Sequence, residues 1–579
     1  MDRQAWIAVT VCILGLIGWQ IYTLQHPRPL PARVAVSPTP GASATAGATP
    51  ATEAEATPPP NEPPPTPTPA AFVEKTAMLR NDDLELLLTN RGGGIAEAVL
   101  PKHKGENDQP LRLNARDRVP IGAIIERPAT PALEEFAVVA GGKGSVQFER
   151  ALPNRVTLRK KFTLSAPPNE KDNYVAELEV DFQNNGDATY NNPGYFVALG
   201  TAAPIHRNDL ANYTRATWCI DGKAKYVDVS SFAAQTYPIV GIQKRAAEQY
   251  HSEPLANAEW LGVSNQFFVT LVTPLTTKAT SVWATRFEDG MTNNGVPEYG
   301  IDSAMGMPGF QLQPGKTETL QFQLYVGPKL YHRLAQLTHD EAEIMDFGIW
   351  KLVSQTLLNL MNFLHSFLHN YAVAILVLTA LVRLVLWPIQ TKSMKSMRQM
   401  SALGPKMQEL KEKYKDDPTK MNAEVMKMYK EYGINPVSGC LPMFIQIPIF
   451  FGLFTMLRQA VELRNSSFLW VRDLSQPDTV AHLPFLGWPL NILPLLMAGT
   501  QLWLMRLTPK SGDATQQKVM MFMPLIFVVF CYNFAAALAL YYTTQNLFMI
   551  LQTYQNRKQP LPKLEKVNQP PKRKGKGRP

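Results

Sequence analysis

At 579 residues the chain is long enough for two or three domains, and its mean hydropathy near zero hides a split: apolar runs crowd residues 1–25 and the chain beyond about residue 340. Its net charge of +9 is concentrated locally, since Arg557–Pro579 holds nine Lys or Arg against one acid, Glu565. Four cysteines exclude a disulfide framework, because Cys12, Cys440 and Cys531 lie in apolar runs and Cys219 stands alone in the middle of the chain.

Residues 1–26 read as a transmembrane anchor, the apolar stretch Ala5–Leu24 being long enough to cross a bilayer. A cleaved signal peptide is the rival reading. Against it stand an n-region with only Arg3, an apolar run longer than a usual h-region, and no small-x-small cleavage site. A lipoprotein site at Cys12 is excluded by Val9 and Val11. Residues 27–71 are rich in Pro, Ala and Thr, cannot offset the entropy of ordering, and are expected to form a disordered linker.

The character changes over residues 72–329. From Tyr174 to Phe182 apolar and polar residues alternate, with Ala176, Leu178, Val180 and Phe182 on one face, and Leu320–Val326 repeats the pattern. With turn chemistry at Asn184–Gly186 and Gly92–Gly94, this predicts an all-β sandwich of two stacked antiparallel sheets. Residues 330–369 connect it to the apolar C-terminal part of the chain. There Lys351, Gln355, Asn359, Asn362 and Ser366 recur at helical spacing opposite Trp350, Val353, Leu357, Leu360 and Leu364. Such a helix lies in a membrane interface or packs between domains.

Residues 370–556 form a polytopic helical core, with spans expected at 371–389, 440–461 and 485–507. The apolar run 519–554 would be a helix of about 54 Å, against a bilayer core of about 30 Å. It is either two spans, at 519–534 and 536–554, or one helix projecting far out. Charge arbitrates. Residues 392–432 carry ten Lys or Arg and six acids, Arg506, Lys510 and Lys518 flank the next short loop, and the cationic tail 557–579 closes the chain. The positive-inside rule puts all three in the cytoplasm, which requires two spans after Lys518. With the anchor the count is six, both termini are cytoplasmic, and the β-domain and the loop 462–484 are periplasmic. The segment 391–433 reads as a cytoplasmic helical hairpin broken at Asp416–Pro418, with Met394, Met397, Leu403, Met407, Leu410 and Tyr414 facing Met421, Val425, Met428 and Tyr432. That methionine-rich seam is the hairpin's own core or an adaptable surface for apolar clients.

Several motifs match one family in order and spacing. Asn435-Pro-Val-Ser-Gly-Cys-Leu-Pro-Met-Phe-Ile-Gln-Ile-Pro-Ile-Phe450, Thr379–Arg383 followed by Trp387–Pro388, Gln516–Pro524, and Leu538–Tyr542 with Asn546 resemble the YidC/Oxa/Alb membrane protein insertases, and Tyr325–Lys329 and Asp346–Gly348 resemble the junction to their core. The resemblance covers about residues 345–556, and the β-domain suggests the Gram-negative form. One departure is Ala535, where the family usually has proline at the turn between the last two spans; Asn533 is the most turn-prone residue nearby. The resemblance implies an inner-membrane insertase and folding chaperone that moves clients through a hydrophilic groove, alone or beside the Sec translocon. It also implies a mutarotase-like β-supersandwich for the large domain.

On residues alone, Arg383 has two readings. A lone charge inside an apolar helix costs roughly 2.5–3.5 kcal/mol, so it either lines a hydrated groove or snorkels, being about 9 Å of helical rise from the span's cytoplasmic end. The resemblance favours the groove, with Thr379 on the same face. Gln446, Tyr541, Tyr542 and Asn546, with Gln545, are the other polar groups within spans; for Gln446 an interhelical hydrogen bond is the simpler role. Tyr541 and Tyr542 are adjacent, so at most one is expected to line a groove.

No phosphate loop and no Cys/His metal cluster is present, so no cofactor and no small-molecule substrate is expected. The expected partners are nascent membrane proteins, the Sec translocon, membrane lipids and, through the basic tail, the ribosome. A tail that only fixes topology is the alternative. A transporter would want inverted repeats, and none is seen. A sugar-active enzyme would want paired acid–base groups, but His103, His206, His251 and His332 sit in no such motif.

Overall fold

The computed structural model describes residues 72–557 and Lys566, apart from 106–107, 115–116, 129, 143, 165–172, 207–208, 237–242, 293–294, 416, 484–487, 509–525 and 527. The expected anchor, the linker, most of the 519–534 span and nearly all of the basic tail lie outside the described residues.

Alternation builds the β-domain. Val175–Asn184 pairs antiparallel with Thr317–Pro328, with Ala176, Leu178 and Val180 opposite Leu324, Phe322 and Leu320, and Phe182 buried on the same inward face. These two are central strands of a nine-stranded sheet that runs from Lys223–Asp228 at one edge to Ala137–Gly141 at the other. A five-stranded sheet packs over it, with Tyr195–Ala202 and Pro297–Met307 lying against Trp260–Ser264 and Phe268–Pro274. A four-stranded sheet, Thr76–Arg80 to Pro110–Leu113, adds to the same core. Register could not be foreseen, and neither could Lys160. This lysine is fully buried, and its Nζ donates to the carbonyls of Gly92 (2.6 Å) and Gly122 (2.9 Å) above the Phe136 ring. Burial pushes its amine well below the usual lysine range.

The helical part begins with α1 (Lys351–Leu368) and continues with α2 (Tyr371–Ala402), α3 (Gly404–Lys413), α4 (Pro418–Glu431), α5 (Pro436–Gln459), α6 (Ile492–Leu507) and α7 (Ala536–Arg557). Among the described residues α2 alone is long and apolar enough to cross a membrane; the apolar stretches of α5 and α6, Phe444–Gln459 and Ile492–Leu507, are shorter. Two expectations need correction here. The expected span 371–389 and the first part of the expected hairpin are one helix, continuous through Pro388, so the hairpin arms are α3 and α4. The expected span 485–507 starts later, because Pro489–Asn491 pairs as a short strand with Thr479–His482.

Asp417 caps α4 by accepting from Lys420 N, with Pro418 preorganising the first turn. The hairpin's seam is Leu403, Met428 and Tyr429 with Met400, Met407, Leu410, Val425 and Tyr432. Helix α1 packs on α5 and leaves an apolar face exposed. Ser354 Oγ donates to Gly452 O on α5 (3.0 Å), while Leu352, Phe363 and Phe367 stay exposed. The approach is so close that a Cβ at Gly452 would lie 2.6 Å from Val353 Cγ1.

The β-domain meets the core at one end of α5. Gln266 Nε2 donates to Arg458 O (2.8 Å), Arg215 pairs with Asp346 (3.1 Å), Gln459 Nε2 donates to Asp346 O (3.2 Å), and Gln476 Nε2 lies 3.0 Å from His206 Nδ1. The opposite end of the bundle carries the hairpin. There Arg398 donates to Asn556 O at the end of α7 (2.7 Å), and Lys566 pairs with Glu431 (3.3 Å).

Candidate functional site

Helical spacing puts Thr379 and Arg383 on one face of α2, and that face is turned inward. Thr379 is fully buried and its hydroxyl donates back to Ile375 O (2.7 Å), so it shapes the wall without offering a free group. Arg383 is only 3% exposed. Its Nη1 and Nη2 are enclosed without a hydrogen-bond partner, and no carboxylate pairs with it among the described residues.

The opposite wall comes from α5 and α7. Tyr541 and Tyr542, consecutive on α7, are both electrostatic neighbours of Arg383. Their rings meet edge to face at 5.5 Å. Gln446 Nε2 donates to Gln545 Oε1 across helices (3.3 Å). Tyr542 rests its edge on Phe450 at 5.5 Å. The result is a cation facing two phenols, with a glutamine pair behind them and aromatic faces beside them.

Of the six residues expected here, Arg383, Thr379, Tyr541, Tyr542 and Gln446 gather between α2, α5 and α7. Asn546 does not join them. Its Nδ2 donates to Met497 O (3.4 Å) and Thr500 Oγ1 (3.2 Å) on α6, a helix-to-helix bond. Sequence reasoning missed Gln390, which is buried on α2 two turns beyond Arg383. Its signal is the seven-residue spacing from Arg383, obscured because Pro388 reads as the end of the span. No group of three or more His, Cys, Asp or Glu among the described residues could hold a metal.

Comparisons with known proteins agree across the chain. Residues 77–360 match the family model described as the YidC periplasmic domain, and residues 363–562 match the one described as 60Kd inner membrane protein. A membrane protein insertase YidC from Chlorobaculum tepidum is 32% identical over 506 residues, covering 83% of this chain and 81% of that protein. Among solved structures, an active YidC insertase with its first transmembrane domain resolved is 19% identical and covers 84% of this chain and 93% of that one, at a TM-score of 0.35. An aldose 1-epimerase from Escherichia coli K12 is 12% identical and covers 44% of this chain and 99% of that one, at a TM-score of 0.27. At those TM-scores the two structures add nothing to the assignment, which rests on the sequence relative and the family models. The chain belongs to the YidC family of membrane protein insertases.

Proposed function

We propose that this insertase receives the polar segment of a newly made membrane protein at Arg383, in a cavity walled by Thr379, Gln446, Tyr541 and Tyr542. The observation that carries the reading is a buried guanidinium with two unpartnered terminal nitrogens. Enclosed donors without acceptors cost about 1–3 kcal/mol each, more when charged. Such a site persists where a ligand that comes and goes supplies the acceptors. A passing polypeptide supplies them as backbone carbonyls and acidic side chains, while its apolar segment moves into lipid, driven by roughly 25 cal/mol per Å² of surface buried. No bond is made or broken in this step.

Charge supports an orientation with the hairpin and the tail in the cytoplasm and the β-domain in the periplasm. The six spans and the domain limits read from the sequence belong to that orientation, as does a Sec translocon beside the core. The nine cations of Arg557–Pro579 suit ribosomal RNA or anionic lipid.

The test is insertion of matched clients with acidic or neutral translocated segments. Arg383→Ala should slow the acidic client by about tenfold, the neutral one less, and Arg383→Lys should recover most of the loss, because attraction needs charge and no guanidinium fork. Equal, unimpaired insertion of both clients by Arg383→Ala would remove the cavity from the mechanism.

A further inference from the structure

Gln390 lies seven residues after Arg383 on the unbroken helix α2. Seven residues are close to two full turns, so the two side chains share a face, separated by about 10.5 Å of rise. Gln390 is 7% exposed, and its Oε1 is enclosed without a hydrogen-bond partner. Close by on the same wall, Gln552 on α7 shows how a glutamine is satisfied here: its Nε2 donates to Trp387 O (3.2 Å) and Thr391 Oγ1 (3.1 Å). The α2–α7 contact is therefore able to pair its glutamines, and it leaves the Gln390 acceptor open.

The two orphans are complementary. Arg383 presents only donors and Gln390 an unused acceptor. An extended polypeptide is the ligand that needs both on one line, since each residue carries one N–H and one C=O. At about 3.3 Å per residue, some three residues of extended chain bridge the two positions. A lipid acyl chain has no donor for Gln390, and a fully ionised anion has none either.

We infer that Gln390 is a client-contacting residue, accepting a backbone N–H from the extended client segment whose carbonyl or acidic groups meet Arg383. The inference rests on the Arg383 reading and adds a station at the hairpin end of the same face. It makes recognition independent of client sequence at Gln390 and charge-dependent at Arg383.

Two measurements on the full-length protein in membranes test it. Gln390→Met keeps the side chain's length and removes the acceptor, whereas Gln390→Glu keeps acceptor oxygens. With a client whose translocated segment is polar and uncharged, Gln390→Met should slow insertion about three- to tenfold, the factor expected from one net hydrogen bond. Gln390→Glu should stay within about twofold of the parent, below what one lost hydrogen bond costs. A photoreactive residue at position 390 should capture a stalled nascent chain, and Gln390→Met should melt in detergent at the parent's temperature, which separates contact from a structural role. Unchanged insertion by Gln390→Met while Arg383→Ala remains slow would overturn this inference and leave the Arg383 reading standing. Crosslinks at 390 to lipid alone would overturn it as well. Unimpaired insertion by both Gln390→Met and Arg383→Ala would remove both readings together.

Discussion

Asn362 on α1 donates its Nδ2 to Glu462 Oε1 at 3.1 Å, just beyond the end of α5. The two oxygens left over, Asn362 Oδ1 and Glu462 Oε2, are both enclosed without a partner. Ionised, Glu462 sets two bare acceptors in one buried spot. Protonated on Oε2, it becomes an acid able to pair with an amide through both of its oxygens. Tyr371 on α2 is its titratable neighbour. Burial pushes the Glu462 carboxyl up, opposed by its own backbone N–H and by Asn362. The folded protein therefore holds this proton at pH values where the unfolded chain has lost it. Stability is fully present below the ordinary glutamate range and is lost as pH rises through the raised folded value. Glu462→Gln supplies the amide pairing without needing a proton, so it should raise the melting temperature at pH 8 and change little at pH 4. A drop at pH 8 would mean that the ionised carboxylate is the stabilising form. None of this was legible in the sequence, since the partners lie 100 residues apart. Arg383 was legible for the opposite reason: a charge inside an apolar run is conspicuous wherever it points.

Elements were legible where a local rule decides them. Alternation marked the strands Val175–Asn184 and Thr317–Pro328, and Asp417-Pro418 marked the start of α4. Local rules failed where the rest of the molecule overrides them. Pro388 ordinarily breaks a helix at a cost of about 3 kcal/mol, yet α2 runs through it, braced by the Gln552 bonds to Trp387 O and Thr391. The turn before α7 is the converse. No proline forces it, and Ala535 stands where one was expected, but the chain is helical over 528–531, turns over 532–534 and starts again at Ala536. Long-range bonds hold the reversal. Asn491 Nδ2 donates to Tyr532 O (2.8 Å), and Ala536 and Ala537, whose amides a helix start leaves unpaired, donate to Gln476 O (2.8 Å) and Leu474 O (3.0 Å). Asn491 is fully buried. Asn491→Leu strips the turn of its brace and leaves the half-buried Tyr532 carbonyl bare, a loss of about 1–3 kcal/mol. Faster hydrogen exchange at Ala536 and Ala537 in that variant, with the β-domain amides unchanged, would locate the damage at the turn. Uniform exchange across the chain would deny Asn491 this role.

At the scale of the molecule, the bundle has two poles. One holds the β-domain contacts at Arg458 and Gln476 together with the turn into α7, and the other holds the hairpin, the end of α7 and Lys566. Charge along the sequence suggests the same division, with ten cations in 392–432 and nine in the tail. Charge and geometry are independent here, because among the described residues the ion pairs at the hairpin pole involve only a few of those cations. What charge could not supply was the docking of the β-domain onto α5, which depends on single bonds between distant residues such as Gln266 and Arg458. If the poles face opposite sides of the inner membrane, a membrane-impermeant thiol reagent must tell them apart. In a background with Cys12, Cys219, Cys440 and Cys531 replaced, Lys225→Cys on the exposed edge strand of the nine-stranded sheet should label in intact spheroplasts. Lys566→Cys should label only after permeabilisation. The pairing matters, because silence at Lys566 alone could come from its contact with Glu431; labelling after permeabilisation rules that out. Labelling of both sites in intact spheroplasts would put Lys566 on the same side as the β-domain and make an odd number of crossings between β-domain and tail untenable.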